Sequence, residues 1–186
     1  MNIQEIINEA DILVPNEVQV ADKVMWINAI NQDFFNVVKI PKIAWFDSVA
    51  GQNVYVLPSD VRMKNTDMCM VGMTQYRSIQ SENVTPLQNS YMYDDETHTL
   101  ILTPAPYQSD MQGLVRYRRI ATTTFSSSNL AAVPDAPEEY HWTFIPALAS
   151  YIANTQDDGV KAGNYESQYK AAWNVAAQNY QVGDSI

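Results

Sequence analysis

Two rhythms divide the chain. Near both ends apolar side chains recur at three- and four-residue steps, the spacing that gathers them on one face of a helix, whereas the middle alternates apolar and polar positions as a strand does. Ile3, Ile6, Ile7, Ala10, Leu13 and Val14 make a short helical stripe. It stops at Pro15, because a proline pushes the residue before it out of the helical region. Asn16 then reads as a cap, with Gln19 where a capping box places its second residue, and Val20, Val24, Ile27, Ile30, Phe34 and Val37 form a longer stripe that Pro41 closes.

The last quarter repeats the helical rhythm. Tyr140, Phe144, Leu148, Tyr151 and Ile152 form one stripe, opened by Pro137 and by Glu138 and Glu139 at the positive end of the helix dipole. Asp157, Asp158 and Gly159 interrupt it, and Tyr165, Tyr169, Trp173, Ala176 and Tyr180 form another. Helices joined so tightly pack antiparallel. Pro146 falls inside the first of the two, so a kink near Trp142 is expected.

Between these ends the period changes. Residues 42–49 and 52–57, split at Ala50 and Gly51, read as a hairpin, and 68–79 as a strand interrupted by Gly72. Residues 90–93 and 99–103 flank the polar turn 94–98 as a second hairpin, and 113–121 is the last strand. Short connections imply five or six strands, all antiparallel. The expected fold class is therefore α+β, with N- and C-terminal helical pairs packed as a small bundle and an inserted antiparallel β module. Its parts are a helical pair at 1–41, the β module at 42–121, a loop at 122–136, a helical hairpin at 137–180 and a tail at 181–186. Segregated elements, and six glycines too scattered for a phosphate loop, argue against a doubly wound nucleotide-binding sheet.

Composition narrows the class. At 186 residues, 46% hydrophobic and 17% charged, the chain has the makeup of about one ordered globular domain. No apolar run approaches the ~20 residues of a membrane span, and the first residues lack the basic start of a signal peptide, so a soluble, unexported protein without a membrane partner is expected. The net charge of -10 is concentrated at the ends: residues 1–60 hold 3 basic and 8 acidic groups, 61–133 hold 6 and 6, and 134–186 hold 2 and 7. Binding to nucleic acid needs cations that neutralise phosphate, so such a chain can stand beside DNA without holding it.

Chemistry has thin material to work with. His98 and His141 have no ligand partners at metal-binding spacing, and Asp94, Asp95 and Glu96 lack the rest of a calcium loop, so no metal or cofactor is expected. Cys69 and His141 are the one conceivable nucleophilic pair, but Met68, Met70, Val71 and Met73 around the thiol favour a buried structural cysteine. The chain reads as a non-enzyme. Its 11 tyrosines and 4 tryptophans suit cores and interfaces alike. Trp26, Trp45 and Tyr107, forced into no stripe, are candidate partner contacts, as are Arg116 and Arg118 on the last strand and Val182 and Ile186 in the tail.

The order of several segments resembles a known family. These are residues 21–31, the segment 55–60, the hairpin end 100–106, the strand 114–119 and the closing helical pair opened by 134–141. Together they resemble the head-to-tail connector, or adaptor, proteins of tailed bacteriophages. Simpler adaptors are almost wholly helical, and the β module departs from them. The resemblance implies a structural virion protein at the head-tail junction, made in the host cytoplasm, forming a ring between the portal protein and the tail or head-closure proteins. It implies self-association, in twelve copies matching the portal, DNA passing through a channel without specific binding, and a tail that contacts the portal. The alternative is a phage tail or baseplate accessory, or another monomeric binding module, recognising a protein or small ligand through the β insertion.

Overall fold

The computed structural model describes residues 1–79 and 88–181. The chain divides into two compact units, Met1–Lys39 with Ile120–Ile186, and Ile40–Arg119.

The first unit is helical. α1 spans Ile3–Leu13 and α2 Val20–Val37; a 3₁₀ segment at Glu138–Thr143 leads into α3, Phe144–Thr155, and α4 follows at Gly159–Gln181. α1 begins with a capping box in which the Glu5 amide donates to Asn2 Oδ1 and the Asn2 amide to Glu5 Oε2, both at 2.9 Å. Its next amides are met from the loop before the 3₁₀ segment, Ile3 donating to the Ala132 carbonyl and Gln4 to that of Leu130. Asn16, expected to cap α2, instead turns back to Asp11 Oδ1 and the Val14 carbonyl, and α2 starts later, at Val20. Asn16 Oδ1 accepts the Val18 amide at 3.0 Å, so the side chain closes a local turn ahead of the helix instead of capping it.

α3 is the central element, with Phe144, Ala147, Leu148, Ile152 and Ala153 fully buried. Pro146 makes no mid-helix kink. The chain changes from 3₁₀ to α geometry at Thr143, which leaves the proline third in α3, in the first turn, where helical amides have no intrahelical acceptor. Asp157, at φ 58, ends α3, and Asp158 Oδ1 accepts the Lys161 amide at 3.0 Å to start α4. Phe34 of α2 anchors the aromatic centre, edge-on to Trp173 at 5.6 Å and tilted against Phe144 and Tyr140.

The second unit corrects the expected fold class, because the β part is not a small insertion into a helical bundle. Among the described residues seven strands form a single, nearly closed, barrel-like sheet: β1 Pro41–Asp47, β2 Val54–Val56, β3 Thr66–Val71, β4 Thr74–Ser78, β5 Ser90–Asp94, β6 Thr99–Thr103 and β7 Gln112–Arg118, in the order β1-β7-β3-β4-β5-β6-β2. The edge strands β1 and β2 approach through the Phe46 and Tyr55 rings, 4.6 Å apart. Inside lie Cys69, Val71, Leu100, Leu102, Val115 and five tyrosines, Tyr55, Tyr76, Tyr91, Tyr93 and Tyr117. Burying a phenol is favourable when its hydroxyl finds an acceptor. Tyr55 donates to the Gln52 carbonyl at 2.9 Å, Tyr76 to that of Pro104 at 3.2 Å and Tyr117 to Asp60 at 3.1 Å.

Two pairings depart from expectation. β1 and β2 do not form a hairpin; β1 pairs with β7 and β2 with β6. The cause lies after β1, where the Ser48 amide donates to the Met111 carbonyl, Ser48 Oγ to that of Gln108, and the Gly51 amide to that of Pro106, so the chain is tied to the approach to β7. The sheet is also not wholly antiparallel, because β4 and β5 run parallel with Arg77 opposite Ser90.

A candidate interaction surface on the β unit

Alternation along β1, β7 and β3 sends one set of side chains into the sheet's core and the other out. Ala44, Val115, Cys69 and Val71 face in. On the outer face, Trp45 stands opposite Leu114, which stands opposite Met70; in the next rank Ile43 faces Arg116, and Arg116 faces Met68. Trp45 is 55% exposed and Ile43 44%, while Leu114, Met68, Met70 and Arg116 are half-buried. The outcome is a continuous apolar strip beside cationic groups, the composition enriched at protein interfaces.

Two backbone features hold this surface in place. The register of β3 against β7 slips between Thr66 and Met68, and Asp67, in the bulge, is exposed and takes the Arg118 Nε–H on Oδ2 at 2.6 Å. Bulges commonly re-aim a side chain in this way. Gly113 lies opposite Phe46, and a Cβ there would sit 2.4 Å from the ring, so the glycine lets Phe46 close over β7 beneath the strip.

The structure distributes the sequence-derived contact candidates unevenly. Trp45, Arg116 and Arg118 come together on this outer face. Tyr107 is 83% exposed, in the connection from β6 to β7. Trp26 is half-buried and stacks on Tyr151 at 5.8 Å within the helical unit, so much of its ring is committed to helix packing. Val182 and Ile186 lie outside the described residues. Ile43, Leu114, Met68 and Met70 escaped sequence reasoning, although a signal existed: a buried Cys69 in a strand requires Met68 and Met70 to face the other way.

The groups considered for chemistry are occupied structurally. Burial pushes the Cys69 thiol up to about 12, which keeps it protonated and unreactive at neutral pH. His141 is buried with Nε2 2.8 Å from the Ala136 carbonyl. Asp94 organises its turn: the Thr97 hydroxyl, at 2.7 Å, and the Glu96 amide hold its carboxyl below the usual range. Asp95 Oδ1 accepts the Met63 amide at 2.8 Å. Among the described residues no group of three His, Cys, Asp or Glu side chains is placed to hold a metal ion, and no helix is long and apolar enough to cross a membrane.

No curated protein matches the chain. The family model described as SU10 adaptor protein matches residues 1–185.

Proposed function

We propose that this chain, which belongs to the SU10 adaptor protein family and is thereby a structural adaptor component of a bacteriophage virion, joins the portal to the tail or head-closure proteins as one protomer of a ring. The observation that supports the assembly role best is the outer strip of β1, β7 and β3, where Trp45 and Ile43 stay exposed above a sheet that has a filled core of its own. An apolar strip left over after folding is matched to a partner. In a ring each protomer presents such a patch to a different patch on its neighbour, a head-to-tail contact that closes by rotation.

The remaining parts of the proposal follow from charge and from the family. A net charge of -10 suits a conduit whose wall does not hold phosphate, so DNA passes without specific binding. The protein acts by assembly rather than catalysis. Twelve copies match the portal, and the tail at 181–186, with Val182 and Ile186, contacts it; Trp45, Tyr107, Arg116 and Arg118 contact neighbours or the next ring.

Co-sedimentation with the portal protein of the same phage tests this, using the full chain and a chain ending at residue 180. Stoichiometric binding to portal rings, weakened by truncation, is the expected result. A monomer that ignores intact portal rings would overturn it and favour a tail accessory instead.

A further inference from the structure

The helical unit contains a cavity that the adaptor role, as stated, does not use. It lies among α2, α3 and α4, has a volume of about 340 Å³, and is walled by Tyr151, Tyr169 and Trp173 with Asp33, Glu166 and Lys170 around them. The aromatic walls are set before any ligand arrives. Trp173 donates its indole N–H to Thr143 Oγ1 at 2.9 Å and meets Tyr169 edge-on at 4.7 Å, and Tyr151 is stacked on Trp26.

Charge makes the cavity selective. Lys170 pairs with Glu166 one turn away on α4, and its side chain is 56% exposed, so it belongs to the mouth. Asp33, on α2, receives the Asn36 amide at 3.4 Å, a long contact. Two carboxylates against one ammonium leave the cavity with one uncompensated negative charge. Its phenols register that field: burial first, then Glu166, Tyr151 and Asp33, push Tyr169 up to about 12, and Tyr151 is raised by burial, Asp33 and Glu166. The surroundings have the same sign, since the helical unit carries 4 lysines, no arginine and 13 acidic side chains, against 7 basic and 8 acidic groups in the β unit.

We propose that this cavity receives the guanidinium of an arginine on a segment of a partner virion protein, stacked on the half-buried Tyr151 ring, with the nearly buried Tyr169 and Trp173 behind it, and paired with Asp33. A guanidinium suits the site better than an ammonium because its planar face stacks on aromatic rings while its edge donates to a carboxylate. An anionic or purely apolar segment is disfavoured by the same carboxylates. The identity of the partner rests on the adaptor reading; the cavity's preference for a guanidinium does not.

The test uses the full chain and N-acetyl-arginine amide, with N-acetyl-citrulline amide as the uncharged isostere. The readout is the Trp173 indole N–H resonance, identified by its loss in Trp173→Phe. A saturable shift at millimolar arginine probe, absent with citrulline and weakened roughly fivefold in Asp33→Asn, is expected for loss of one carboxylate partner. Asp33 is exposed, so unchanged melting of Asp33→Asn serves as its folding control. Equal shifts with both probes, or an arginine shift indifferent to Asp33→Asn, would overturn the proposal. A chain that binds portal rings yet ignores the arginine probe would overturn it too, while leaving the adaptor reading standing. Dissociation of self-associated chain by the arginine probe in sedimentation velocity would place the arginine on a second copy and overturn the assignment to a separate protein.

Discussion

Two glycines show how much a single hydrogen-for-methyl exchange depends on its surroundings. At Gly113 an added Cβ would lie 2.4 Å from the Phe46 ring, so Gly113→Ala must move Phe46 or β7 and is expected to destabilise the protein by about 1–3 kcal/mol. At Gly163, inside α4, nothing lies within 4 Å of an added Cβ, and Gly163→Ala should stabilise by about 0.5–1 kcal/mol through helix propensity. Urea denaturation of the two variants gives both signs; equal effects would disprove the close approach at Phe46. Asp135 adds a pH dependence. Burial alone would raise its carboxyl, but hydrogen bonds from Thr123, Asn31 and Thr122 outweigh burial and hold it below the ordinary aspartate range. A group whose folded pKa is depressed stabilises the fold above its unfolded value, about 4, and that contribution is lost as pH falls through the folded value. Denaturation midpoints measured at a series of acidic pH values are therefore expected to fall less steeply in Asp135→Asn than in the wild type.

At the scale of elements, β1 has two jobs on its two faces. Its inward Ala44 packs in the sheet core, while outward Ile43 and Trp45 add little to the fold and much to the exposed strip. Trp45→Ser is accordingly expected to change unfolding free energy by no more than about 0.5–1 kcal/mol while weakening ring assembly at least about tenfold, as loss of an aromatic anchor does. Sedimentation velocity of the variant in the presence of portal rings reads the second effect, and assembly at wild-type strength would remove Trp45 from the interface. α4 has a comparable division: Trp173 and Ala176 face the helical core, whereas Glu166 and Lys170 stand at the mouth of the cavity.

At the scale of the whole molecule, the balance of charge matters more than any one group. Arginines are confined to the β unit, and the acidic excess sits in the helical unit. Neither sequence segment nor surface strip offers the run of unpaired cations that phosphate requires. In a native gel at physiological salt, a duplex oligonucleotide is expected to run unshifted beside the isolated protein. Salt-dependent retardation of the duplex would contradict a conduit that lets DNA pass.

The sequence by itself determined whatever depends on neighbours along the chain. The stripe of Ile3, Ile6, Ile7 and Ala10 and that of Tyr169, Trp173 and Ala176 are both buried, because helical periodicity is a local property of backbone geometry. The alternation that buries Cys69 between Met68 and Met70 is legible for the same reason. Only the tertiary structure decided which strands pair. β1 bonds to β7 rather than to β2, β4 lies parallel to β5, and β2 completes the sheet against β6. Those choices assemble Trp45, Leu114 and Met70 from three strands into one rank of the surface, and α2, α3 and α4 do the same for the walls of the cavity. Pairing is set by hydrogen bonds between distant residues, such as Ser48 with Met111, and by a fit such as Phe46 over Gly113, none of which leaves a periodic trace along the chain.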